Sequence, residues 1–117
     1  MAEKSRRREL VAEYKRSHTE AGVYRIVNSE NGRAFLGSAL NLPSVRSKMA
    51  FAKTTGSAGG LDHRLESDIR RLGIEAFSLE VLEILETRPE QTDAEIRADL
   101  AALEDLWREK FDPATLY

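Results

Sequence analysis

The 117 residues predict a small α/β protein of the α+β type, a three-stranded, antiparallel-containing sheet flanked by helices in the order α-β-β-α-α-β-α. Three observations lead there. Two β-rich segments, 21–27 and 33–38, flank an Asn31-Gly32 pair, which tolerates positive φ and marks a hairpin turn. Leu61, Leu65, Ile69 and Leu72 recur at helical spacing, with Gly73 as the stop. A further β pattern, Phe77 to Leu85, sits between that helix and a last one.

Each element has its own signal. Ala2 to Lys15 predicts a helix with Leu10, Val11 and Tyr14 on one side, and residues 1–20 form this helix and a lead-in. The core, 21–113, belongs to the same single domain, 1–117. Asn41 or Leu42 stands near the N-cap of the next helix, and Pro43 suits its first turn because a missing N–H needs no partner there. That helix runs to Lys53 and buries Leu42, Val45, Met49 and Ala52. Thr54 to Gly60 is a loop within the domain. The helix from Leu61 to Leu72 follows, and then the third strand, whose Val81-Leu82 pair is expected where both faces are covered. Asp93 is expected to cap a last helix reaching about Phe111, with Ile96, Leu100, Leu103, Trp107 and Phe111 on one face.

Composition excludes several chemistries. There is no cysteine, hence no disulfide, thiolate metal site or cysteine nucleophile. The apolar runs are too short to span a bilayer, and the arginine-rich start lacks the apolar stretch of an export signal, so a cytoplasmic protein with no membrane partner is expected. Net charge is −2, but it is unevenly spread: residues 1–76 hold 14 Lys/Arg against 9 Asp/Glu, and residues 77–117 hold 4 against 11. Such a chain either presents a basic face to a phosphate backbone or merely solvates its last helix with acids. His18 and His63 are isolated, and no metal-ligand spacing or phosphate-binding glycine loop occurs.

One constellation carries chemistry. Gly22-Val23-Tyr24 lies on the first strand, and Phe35-Leu36-Gly37-Ser38-Ala39-Leu40-Asn41-Leu42 spans the second strand and the turn after it. The two motifs, 11 residues apart from Tyr24 to Phe35, resemble those of the GIY-YIG nucleases. A basic helix, a third strand and a last helix with Leu103-Glu104-Asp105-Leu106-Trp107-Arg108-Glu109-Lys110 extend the resemblance, above all to short free-standing bacterial members.

The resemblance implies metal-dependent hydrolysis of a DNA phosphodiester with one divalent cation, Mg²⁺ or Mn²⁺. Tyr24 matches the tyrosine that takes or relays the proton of the attacking water; otherwise it is an interior strand aromatic. Tyrosine titrates near pH ~10, so it serves as a base only if cations lower that value. The second tyrosine is replaced by Phe35, which transfers no proton. The family's arginine falls at Val45, which leaves Arg46, then Lys48, as the phosphate-stabilising cation, or both as a solvated helix face. Glu104 matches the metal-holding glutamate. It borders the apolar stripe, where a carboxylate needs a metal or a partner, and Arg46, Arg64 and Arg25 are the candidates for an ion pair. Arg25, Arg46, Lys48, Lys53 and Arg64 are the expected DNA contacts, while Gly22, Val23, Phe35, Leu36, Gly37 and Asn41 serve the motif structurally. Three functions stay open: a nuclease, a catalytically impaired nucleic-acid-binding module, and a protein-interaction domain, with a homodimer or another protein as possible partner.

Overall fold

The computed structural model describes residues 20–117, so the expected helix at 2–15 lies outside the described residues. Strand β1 (Ala21–Asn28) occupies the centre of a three-stranded sheet, with β2 (Ala34–Ala39) on one side and β3 (Phe77–Leu85) on the other, both antiparallel to it. Helix α1 (Leu42–Thr55), helix α2 (His63–Leu72) and helix α3 (Asp93–Arg108) complete the fold, with short 3₁₀ turns at Ile74–Ala76 and Pro113–Thr115. The fold is therefore the expected α+β arrangement. No described helix is long and apolar enough to cross a membrane.

Strand alternation sends successive side chains to opposite faces, and the helices divide accordingly. Ile26, Phe35 and Phe77 point to one face, where they join Met49 and Ala52 of α1 and Leu65 and Ile69 of α2 in the main core. Ala21 and Leu85 point to the other, against Ile96 and Leu100 of α3. The basic helices α1 and α2 thus cover one face and the acidic α3 the opposite one. The four residues expected to be buried on α1, Leu42, Val45, Met49 and Ala52, are its buried residues.

Several boundaries differ from expectation. Thr92, not Asp93, is the N-cap of α3, because its hydroxyl accepts the Glu95 N–H at 3.2 Å. The helix stops at Arg108, short of Phe111. Asp62 caps α2, so Leu61 precedes the helix and packs on the core from the loop. Val81 and Leu82 are both only half-buried, not covered on both faces as expected. They mark a β-bulge, where β3 has one residue more than β1 between the pairs Tyr24–Val81 and Val23–Glu83, and β3 is an edge strand that leaves Ile84 exposed.

The last residues fasten the main core. The Tyr117 N–H donates to the Ala34 carbonyl, and its phenol donates to Asp68 Oδ2 at 2.5 Å while accepting from Asn28 Nδ2 at 2.9 Å. Arg71 also bonds Asp68. The Tyr117 hydroxyl, then Arg71, hold the Asp68 carboxyl below the usual carboxylate range against a smaller opposing effect of burial. A carboxyl lowered on folding stabilises the fold above its unfolded pKa and loses that contribution as pH falls through its folded value. Asp68→Asn is therefore expected to flatten the loss of stability below about pH 4. Denaturant unfolding of both proteins from pH 7 to pH 3 measures this.

Candidate active site

The two glycines of the hairpin motifs stand where the chain has no room for a side chain. A Cβ on Gly22 would collide with the backbone carbonyl oxygen of Glu83 and approach Leu42 Cδ1 at 3.0 Å. A Cβ on Gly37 would stand 2.9 Å from Phe35 Cε1 and 3.0 Å from both Cζ and Oη of Tyr24. Gly37 is paired with Tyr24 across the β1–β2 ladder, so the tyrosine lies across β2 over the bare glycine and brings its hydroxyl beside the Phe35 ring. The two rings are 6.3 Å apart and inclined by 46°.

The remaining motif residues support this hairpin. Val23 and Leu36 are buried, and both face the α3 side of the sheet. Asn41 is the N-cap of α1, its Oδ1 accepting the Ser44 N–H at 3.0 Å, and the Leu42 N–H bonds the Glu20 carbonyl at 2.8 Å. The start of α1 is thereby tied to the start of β1.

Glu104 projects from α3 into a groove of about 340 Å³ that it shares with Ser38, Ala39 and Leu40 at the end of β2. Its side chain is 23 % exposed. It does pair with an arginine, but with none of the three expected: the partner is Arg108, one turn further along the same helix, at 2.8 Å. Farther along this region Trp107 donates to Glu83 at 2.9 Å and Lys110 sits 4.2 Å from the indole centroid, which fixes α3 against β3.

Tyr24 and Glu104 stand on opposite faces of the sheet, yet the Glu104 charge reaches the phenol. Burial, then the charges of Asp62 and Glu104, raise the Tyr24 phenol above its ordinary value. The surroundings therefore act opposite to the lowering that a tyrosine base requires, and the phenol keeps its proton near neutrality. The cations are distributed differently from expectation. Arg46 and Lys48 are exposed on α1, and among the described residues neither has an ion pair; the Lys48 methylenes lie along Gly60. Lys53 is exposed in the last turn of α1. Arg25 lies on the α3 side, 2.7 Å from Glu80 and 5.4 Å from the Phe111 centroid. Arg64 alone of the five sits over the motif, its Cζ 5.4 Å from the Phe35 centroid. His63 is a solvated side chain, 84 % exposed.

Two residues of this site escaped the sequence reading. Asp62 fell inside the helix expected from Leu61, and its influence on Tyr24 depends on how α2 returns over β2. Arg108 could have been found, since residues four apart on a helix are neighbours.

The hairpin thus lays a phenol across a glycine, with a carboxylate of the last helix within electrostatic reach, on a three-stranded sheet with helices on both faces. Comparison with solved structures agrees on the fold. The catalytic domain of the homing endonuclease I-TevI aligns over 83 % of this chain and 95 % of its own, with a TM-score of 0.50 and 21 % identity. A point mutant of the catalytic domain of intron endonuclease I-TevI aligns over 79 % and 84 %, with a TM-score of 0.50 and 18 % identity. The chain thus has the GIY-YIG endonuclease fold that its hairpin motifs led us to expect. No family model and no curated protein matches the sequence.

Gly37→Ala is expected to push the Tyr24 ring off β2, at a cost of about 1–3 kcal/mol for overpacking. Urea unfolding measures the cost, and ultraviolet titration of the tyrosines should show one phenol returning toward its ordinary pKa.

Proposed function

We propose that this protein hydrolyses phosphodiester bonds in DNA with the help of one divalent cation. The observation that carries the reading is that the Tyr24 phenol lies across Gly37 within electrostatic reach of the Glu104 carboxylate, on a fold like that of an endonuclease catalytic domain. Among the described residues no group of three His, Cys, Asp or Glu gathers, and Glu104 would be the carboxylate donor. That suits Mg²⁺ or Mn²⁺, hard cations that keep waters and take substrate phosphate oxygens alongside one carboxylate. When bound, the cation would neutralise charge on the phosphate and its leaving oxygen.

The protein's own residues have separable tasks. Tyr24 holds a proton at Oη at neutral pH and relays it at the attacking or leaving oxygen; it loses that proton only where positive charge outweighs Asp62 and Glu104. Glu104 would give up Arg108 to hold the cation. Their pair is one turn of helix long and partly exposed, a geometry worth only about 0.3–0.5 kcal/mol, so the exchange costs little. The cationic α1–α2 face offers the phosphate backbone its counter-charge.

A second reading, a DNA-binding module without turnover, is favoured by Phe35 in place of a second phenol and by the Glu104–Arg108 pair. Purified protein incubated with labelled DNA and Mg²⁺ or Mn²⁺ separates the two. Cleavage is expected, falling at least about 100-fold in Glu104→Ala and in Tyr24→Phe. Equal cutting by all three proteins would assign the activity to a contaminant. Binding that weakens steeply with salt, without cutting, would establish the module instead. Absence of binding would favour a protein-interaction domain.

A further inference from the structure

Resting on the nuclease reading, we propose that the side chain contacting the scissile phosphate is Arg64, supplied by α2 rather than by the helix that follows the hairpin. The argument starts from what holds this arginine. Asp62 caps α2 and accepts the Arg64 N–H at 2.9 Å, and the same Oδ1 lies 3.2 Å from Arg64 Nε. The guanidinium is thereby folded back over the Phe35 ring, with Cζ 5.4 Å from its centroid. Phe35 in turn abuts Tyr24 above Gly37, where Phe35 Cε1 and Tyr24 Oη both approach the same missing Cβ position. Guanidinium, phenyl ring and phenol therefore form a row on one face of the hairpin.

The chemistry of the fork fits the task. Only Nε faces Asp62, and among the described residues the terminal nitrogens have no hydrogen-bond partner. Arg64 is half exposed, at 53 %. Two parallel N–H donors remain for the oxygens of a phosphate, the bidentate arrangement that a lysine cannot reproduce. Stacking on the ring holds the plane in place before a substrate arrives, so less rotamer freedom is lost on binding.

This placement explains how the site can lack an arginine at position 45. Val45 is buried in the core, and Arg46, the next residue, is turned by ~100° around α1 and has no partner among the described residues. Phe35 then becomes the platform for a cation arriving from the other helix.

The test compares Arg64→Ala, Arg64→Gln, Arg64→Lys, Arg46→Ala and Arg88→Ala with the unmodified protein. Readouts are single-turnover cleavage of labelled DNA, salt-dependent DNA binding by fluorescence anisotropy without divalent cation, and thermal melting. Arg64→Ala and Arg64→Gln are expected to lose about 100-fold or more in cleavage rate, with unchanged melting. Arg64→Lys should recover only part of that loss, and Arg88→Ala should cut normally. Arg64→Ala should also lower the slope of log affinity against log salt by about one. The Gln variant keeps a polar stem over Phe35, so a loss shared by both is not a folding effect. Normal cleavage and an unchanged salt slope in Arg64→Ala, or a loss as large in Arg46→Ala, would overturn the proposal while leaving the nuclease reading intact. An unmodified protein that neither binds nor cuts DNA would overturn both.

Discussion

Strand β1 has no free edge, and the rest of the molecule is arranged around that fact. It pairs with β3 along its whole length and with β2 from Gly22 to Val27, so its residues are committed to one of two helical layers. Even residues meet α1 and α2; odd ones meet α3. Tyr24 belongs to the first layer, and Gly37, its partner on β2, leaves room for the ring to lie across that strand, where the Glu104 charge of the opposite layer still reaches the phenol.

That geometry has an electrostatic price of a specific kind. A half-buried phenol between two carboxylates is a poor base, and its pKa is moved the wrong way for one. On the proposed nuclease reading the imbalance means that the site would become reactive only in company. Positive charge introduced by an arginine, a metal ion or both is what would release the proton, which couples proton transfer to the arrival of the charged participants. A resting site of this type does little to stray solvent.

The sequence made the fold readable because its signals were local and mutually consistent. Alternation about Asn31-Gly32 defined the hairpin, the Leu65–Ile69 spacing defined α2, and Asn41-Leu42-Pro43 defined the start of α1 down to its buried residues. The Val81-Leu82 pair was read as a sign of double burial because two adjacent apolar residues look alike in sequence whether a strand is covered or bulged. The site was legible only in its two motifs and Glu104. Which cation faces the motif depends on how α2 returns over β2 after the Gly56–Gly60 loop, and no spacing within the chain encodes that return. Arg46 and Arg64 are equivalent on paper; only Arg64 has an aromatic ring beneath it.

Strand β2 is an outer strand, and outer strands invite pairing with other chains. Leu116 forms a parallel bridge with Ala34, and the Tyr117 N–H occupies the Ala34 carbonyl, so the beginning of that outer strand is already paired. Among the described residues no strand pairs with the outer side of β2 nearer Gly37 and Leu40, beside the groove that holds Glu104. Leu116 and Tyr117 therefore act as a selvedge along the start of β2, and on the proposed reading a nucleic-acid strand would lie along the remainder.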